Sequence, residues 1–271
     1  MTAVALDSPR ERRHSLRRDL TLAAWQVRNE QRAFWRNRRA AVFSFGFPVM
    51  LLLVFGLLNK GNTIDTRGVS WDVFYVPGIL AYGIVTTAFS NIAISLAYAR
   101  DYGVIKRIQG TPLPWWAFMA GRIGSTVIVT AAMCALTLGI GAVVLGVHLH
   151  ASMIPGLALG ILFGTVAFTA LGIGFVRFLP SADTAGPMQA FLVMPIAFVS
   201  NVFFPLDNAP QWLDKIASAL PLKPLADQLH TAFEHSSGSG IVGDDLTTLA
   251  IWIVIGSFLM MKFMRTITKR A

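Results

Sequence analysis

Residues 123–176 read IGSTVIVTAAMCALTLGIGAVVLGVHLHASMIPGLALGILFGTVAFTALGIGFV and hold no Asp, Glu, Lys or Arg. Arg122 stands before this stretch and Arg177 after it. Facing water, a surface of that composition associates, whereas in lipid it is the favoured one. The rest of the chain agrees. It is 54% hydrophobic and 14% charged, where a soluble domain carries charge at about a quarter of its positions. The stretch is long enough for two crossings at roughly 20 residues each. The fold class that follows is an all-α polytopic membrane protein.

Working outward, six stretches qualify as spans: 40–58, 73–99, 115–147, 154–178, 188–204 and 246–263. The third is longer than one crossing needs, so it is tilted, broken near Gly139 and Gly141, or projects from the membrane. Pro48 and Pro195 fall inside spans one and five and are expected to kink them. An even number of spans places both termini on one side, and the basic residues decide which. Of the 23 Lys and Arg, the side opposite the termini holds only Lys60, Arg67, Lys215 and Lys223. The positive-inside rule then puts both termini in the cytoplasm, with the loops near 100–114 and 179–187. Five spans scatter this asymmetry.

The net charge of +9 is no sign of nucleic acid, because it is gathered in the N-terminal tail and beside the spans. Residues 1–18 read as a basic cytoplasmic tail, 19–36 as an amphipathic interfacial helix and 37–271 as the membrane domain. In 19–36, Leu20, Ala24, Val27 and Phe34 share one helical face, and Arg28, Arg32, Arg36 and Arg39 another. Trp25 falls on the arginine side. Such a helix lies at the inner membrane surface, or its arginines simply enforce topology. The first apolar run starts near Ala40, so no cleavable signal peptide is expected. Cys134 is the one cysteine and lies in an apolar stretch, which leaves the redox compartment open.

In the loop 99–115, residues 101–108 are expected to form two helical turns, stopped by Gly110, Pro112 and Pro114. Trp115 and Trp116 mark the return to the interface. A short helix there is either a lever between spans two and three or an ordinary connection. In the outer region 205–245, Trp212, Ile216 and Leu220 recur four apart, with Asp207 placed to cap and Pro210 in the first turn. Leu225, Leu229 and Phe233 repeat the spacing. Both segments are too short to cross and are expected at the interface or re-entering the membrane. SSGSG, 236–240, is expected to be a flexible link.

No GxxxxGK[ST], HExxH, CxxC or GxSxG motif occurs. His148 and His150 in VHLH have no carboxylate or cysteine nearby in sequence and read as solvated, as do His230 and His235. Catalytic, cofactor-binding and metal-ligating residues are therefore expected to be absent, and a membrane enzyme is disfavoured. Carriers driven by an ion gradient place ionisable groups at membrane depth, and no span has one near its centre. The polar residues there are mild: Ser44, Asn91, Ser95, Thr130, Thr137, Thr165, Thr169, Gln189, Ser200 and Asn201. They join helices or contact a substrate. A pump so built receives its energy from another chain.

GVIKRIQGTPLPWWAFMAGR, 103–122, and NVFFPLDNAPQWLDKIASALPLKPLADQLH, 201–230, together resemble the loop after span two and the outer re-entrant region of the permease subunits of type 2 ATP-binding-cassette exporters. The likeness extends over nearly the whole chain. It implies a permease that moves a hydrophobic or amphiphilic substrate (a drug, a lipid or a lipid-linked glycan) outward across the cell membrane. ATP and Mg are implied to bind a separate cytosolic ATPase subunit, and a second permease copy or homologue to complete a dimer. Asp101, Tyr102, Gly103, Val104, Ile105, Lys106, Arg107 and Ile108 would be the coupling helix, and Arg28, Arg32 and Arg36 would belong to the interface helix. Asn91, Ser95, Ser200 and Asn201, on spans two and five, would face the pathway. Lys106 and Arg107 make the coupling segment basic where the family often carries glutamate, and TPLP, 111–114, leans toward the drug-resistance branch. The alternative is a stand-alone secondary transporter or channel.

Overall fold

In lipid, an apolar stretch satisfies its backbone groups only as a helix or a closed barrel, and helices dominate this chain. The computed structural model describes residues 9–64, 69–111, 113–148, 150–207, 209–234 and 240–268, and their side chains except those of 9–19, 69, 72, 109, 115, 234 and 265–268. Pro112, Arg67, His235, the link 236–239, Lys269 and Arg270 lie outside the described residues. Helix α1 (Pro9–Arg36) begins ahead of the expected 19–36, and a break at Asn37 separates it from α2 (Arg38–Leu58). The Asn37 Oδ1 caps α2 by accepting from the Ala40 amide at 3.2 Å. A two-residue antiparallel ladder, β1 (Thr63–Ile64) with β2 (Val69–Ser70), follows α2.

Span two is α3 (Trp71–Ile84), a π turn (Val85–Ser90) and α4 (Asn91–Asp101). It is the most buried of the long apolar helices and packs against α2 and the later spans. The widened turn shows in the Asn91 amide, which donates to the Thr86 carbonyl five residues back. The hydroxyls of Thr86 and Thr87 both donate to the Gly83 carbonyl, at 3.0 and 2.7 Å. Next come α5 (Val104–Gln109), α6 (Trp115–Ile140), α7 (Ile154–Phe175) and α8 (Ala182–Phe198). The long third stretch is not broken at its glycines. At Gly141, α6 passes into a second π turn (Gly141–Leu145), and Gly146, at φ 75°, ends it. The chain closes with α9 (Gln211–Ala219), α10 (Leu222–Glu234) and α11 (Gly243–Thr268).

Among the described residues, five helices are long and apolar enough to cross a membrane: Arg38–Leu58, Val73–Asp101, Trp116–Leu145, Ala151–Phe178 and Gly243–Met264. The expected fifth span is α8, with 17 residues, at the short end of the roughly 17–25 that suffice. Its bounds differ from the expected 188–204 for local reasons. Ser181 forms a capping box with Thr184, which starts the helix early. At the other end Asn201 sits at φ 55°, which turns the chain out of helix before Phe204.

The outer segments also differ from expectation. Pro210 is the N-cap of α9, not a first-turn residue, which puts Asp207 three residues ahead of the cap. On α10, Leu225, Leu229 and Phe233 are buried among α3, α7 and α11. Gly160 and Gly164 of α7 make room for them: a Cβ at either would meet Leu229 or Leu225 at 2.9 or 2.7 Å. Trp252 of α11 donates to the Ala219 carbonyl at 2.9 Å and so tethers the end of α9.

Candidate functional site

The coupling segment starts later than 101–108. Asp101 is the last residue of α4, Tyr102 and Gly103 form a turn, and α5 runs from Val104. Gly103 at φ 70° explains the difference, because a left-handed glycine ends one helix before the next begins. On α5, Ile105 is buried in a cluster with Leu96, Phe118, Ile173 and Phe263, and Ile108 packs against that cluster. Val104, Lys106 and Arg107 point outward. Tyr102 stacks on Tyr98 with centroids 5.7 Å apart. Six residues cannot hold a helix alone, so this one depends on Ile105, buried in a cluster whose members come from spans two, three, four and six.

Arg100 and Asp101 do something the sequence did not suggest. Arg100 donates to the carbonyls of Val176 and Leu179 at 2.9 and 3.0 Å, satisfying acceptors at the end of span four. Asp101 accepts from the Ala182 amide at 2.6 Å, at the start of α8. The two side chains pair with each other at 2.7 Å. They form one clasp, holding the exit of span two to the turn between spans four and five. Asp101 is thus built into the bundle while Lys106 and Arg107 are free to meet a partner.

Asn91 and Ser95 line a cavity of about 410 Å³ between α1, α2, the Val85–Ser90 turn, α4 and α6. Asn91 donates to the Ser44 hydroxyl at 2.8 Å, joining spans one and two. Ser95 accepts from Arg122 at 2.9 Å. The Arg122 guanidinium lies over the Phe118 ring, 5.0 Å from its centroid, with Glu30 of α1 3.7 Å from its Nε. Gln31 of α1 donates to the Ser125 carbonyl at 2.9 Å and its hydroxyl at 3.1 Å. Helix α1 approaches this closely because Gly121 and Gly124 leave space for Gln26 and Val27. Arg28, Arg32 and Arg36 are all exposed, and so are Leu20 and Ala24 of the expected apolar face. The face that packs is Gln26, Val27, Glu30, Gln31 and Phe34. Sequence reasoning missed Glu30, although its helical phase places it between Val27 and Phe34.

Ser200 and Asn201 lie at the other end of the bundle. Ser200 is fully buried and donates to the Ile196 carbonyl at 2.6 Å. Asn201 donates to Asp227 at 2.6 Å, accepts from the Leu206 amide at 2.8 Å, and its carbonyl lies 2.8 Å from Nε2 of His230. His230 stacks on Phe74 of span two at 4.5 Å. Lys223 is hydrogen-bonded to Asp214 and donates to Ser218 at 2.9 Å. An open pocket of about 740 Å³ lies above these groups. Of the four expected pathway residues, two line the α1-side cavity, two belong to this outer knot, and the structure does not bring the pairs together.

Residues 22–233 match the family model described as ABC-2 type transporter. The chain is 25% identical to YvfS of Bacillus subtilis, named as a transport permease, over 71% of this chain and 77% of that protein. It is 23% identical to the inner membrane transport permease YadH of Escherichia coli, over 64% and 67% of the two chains. It is 27% identical to nodulation protein J of Rhizobium leguminosarum bv. trifolii, over 85% and 88%. The Escherichia coli protein YbhR, named as a probable multidrug ABC transporter permease, is 25% identical over 66% of this chain and 48% of its own.

Proposed function

The chain belongs to the ABC-2 type transporter family, and on that premise we propose that it is the permease subunit of an exporter driven by ATP hydrolysis on a separate cytosolic subunit. The cargo class is hydrophobic or amphiphilic. The observation that carries the reading is α5: a short helix anchored by one buried isoleucine, with Lys106 and Arg107 turned outward beside Tyr102 and Val104. A partner that pushes on α5 moves four spans through Ile105, and spans four and five through the Arg100–Asp101 clasp. Both termini are cytoplasmic in this reading, with α8 as the fifth of six crossings. A second copy or homologue of the chain completes the transport unit.

Asn91 and Ser95 then line the cytoplasmic half of the pathway. Ser200 and Asn201 belong to the closure at its outer end, because their polar atoms already have partners. The name of YbhR lends support to a drug or other amphiphile as cargo, in line with the drug-resistance branch.

Affinity purification from membranes, followed by transport in proteoliposomes, tests the proposal. An ATPase should copurify, and efflux should require MgATP. Sustained uphill transport by the isolated chain in nucleotide-free liposomes would overturn it. Deleting 1–18 should leave assembly intact, whereas deleting 19–36 removes Glu30 and Gln31 and should abolish transport. Equal tolerance of the two deletions would refute a working role for α1.

A further inference from the structure

Arg122 has five N–H donors, and among the described residues it donates a single hydrogen bond, to Ser95. Its Nε is buried with no acceptor in hydrogen-bond range, Glu30 being 3.7 Å away. Glu30 is also under-used: its carboxylate accepts one long bond, from Gln26 at 3.4 Å. A mostly buried ion pair whose members do not meet in good geometry is costly, because each ion has lost water without a full replacement. Both groups are on the wall of the 410 Å³ cavity, together with the apolar side chains of Phe34, Ile92, Ile94 and Val129. Among the described residues no other charged one lines that cavity, so its walls carry one positive and one negative group.

Depth is counted from the helix ends. Arg122 lies six residues beyond Trp116, where one long apolar helix begins, and Ser95 six residues before Asp101, where another ends. At about 1.5 Å per residue both are roughly 9 Å inside the helix ends. A bilayer has roughly 5–8 Å of headgroup region on each side of its hydrocarbon core, so this is where phospholipid headgroups give way to acyl chains.

We propose that this cavity binds a zwitterionic amphiphile, a phospholipid with a phosphate diester and a primary ammonium, the phosphate on Arg122 and the ammonium on Glu30. A phosphate takes up the unused guanidinium donors in the planar geometry that arginine favours. A primary ammonium donates to the Glu30 carboxylate, as a choline headgroup without N–H cannot. A purely anionic headgroup would satisfy Arg122 but set its charge against Glu30. The apolar wall takes the glycerol and the first carbons of the chains. The site needs no assumption about the ATPase or the direction of transport, so its failure leaves the exporter reading standing.

The test is lipid retention by the full chain. It is exchanged into nanodiscs holding equal parts of phosphatidylethanolamine, phosphatidylglycerol and phosphatidylcholine, and the bound lipid is counted by native mass spectrometry after delipidation. Phosphatidylethanolamine should be held about tenfold over either of the others, the worth of one charge-assisted bond. Glu30→Gln should remove that preference, whereas Arg122→Gln, which takes away the phosphate contact common to all three, should lower retention of every lipid. Ala33→Phe, which fills the cavity and leaves both charges, should lower retention of every lipid, and an unchanged unfolding midpoint separates this from misfolding. Water-soluble phosphoethanolamine at equal concentration should not displace the lipid, because it lacks the apolar part. Preference for phosphatidylglycerol, no preference, displacement by the soluble headgroup, or variants that behave as wild type would each overturn the proposal.

Discussion

The polar contacts that join α1 and the clasp to the rest of the bundle reach far along the chain, whereas those of Asn201 and Lys223 stay within one segment. Arg100 reaches across 76 and 79 residues to Val176 and Leu179, and Gln31 across 94 to Ser125. On the other side, Asn201 reaches 5 residues to Leu206 and 26 to Asp227, and Lys223 reaches 9 to Asp214. The outer knot is one segment folded on itself, with the donors and acceptors of Asn201 in use. The inner contacts tie separate helices together and leave an ion pair half satisfied. A region closed by its own local bonds resists movement, whereas one held by a few long-range bonds can change when one helix shifts.

The largest expected effect is therefore on the outer side. Asn201→Leu puts a branched side chain at φ 55° and leaves Asp227 and the Leu206 amide without their partner. It should destabilise the protein by about 2–4 kcal/mol, read as a lower unfolding midpoint in detergent. Asn201→Gly, which accepts the dihedral and loses only the hydrogen bonds, should cost roughly half as much. Equal midpoints for Asn201→Leu and wild type would mean that the outer side is not held by this residue.

The same contrast in reach explains what the sequence disclosed. Five long apolar helices could be read from composition, and so could the outer helices, because proline and a four-residue repeat are local signals. Gly103 was a local signal as well: a glycine after Arg100 and Asp101 is where a helix ends, and recognising it would have moved Asp101 out of the coupling helix. The π turn Val85–Ser90 was not legible, since VTTAFS has no break in composition and a widened turn is a matter of hydrogen-bond register. Nor could the Arg122–Glu30 cavity be found. Its two charges come from helices far apart in sequence, and each alone looked like an ordinary residue near a membrane surface. Ser200 and Asn201 looked like pathway residues because polarity in an apolar stretch does not reveal whether a group is already bonded.

An intermediate effect is expected at the inner clasp. Arg100→Met leaves two carbonyls of span four to water, and Asp101→Asn weakens the hold on the start of α8. Each should cost about 1–2 kcal/mol in the unfolding midpoint, less than Asn201→Leu, because water reaches this edge and the Ser181–Thr184 box still caps α8. The functional loss should be larger than the stability loss. ATP hydrolysis by the assembled complex should continue while transport per ATP falls, since the clasp that ties the end of span two to spans four and five is cut. The double variant should cost less than the sum of the single ones, because both side chains belong to one clasp. Additive costs would separate them.

The smallest effect on stability and a large one on function are expected together at Lys106 and Arg107. Both are exposed, and Arg107 donates to the Tyr102 carbonyl at 3.2 Å, a bond that water can replace. Lys106→Glu with Arg107→Glu should leave the unfolding midpoint where it was, because Ile105 still anchors α5. If α5 seats on an ATPase through these charges, reversing them opposes the partner's acidic groups, which lowers copurification and uncouples hydrolysis from efflux. Ile105→Asp makes the opposite test. It should loosen α5 from the cluster around Phe118 while leaving the outward charges in place, so the ATPase still binds but its motion no longer reaches the spans. Were both variants to retain wild-type transport per ATP, α5 could be neither the contact nor the lever, and the inner side would need a different point of entry for force.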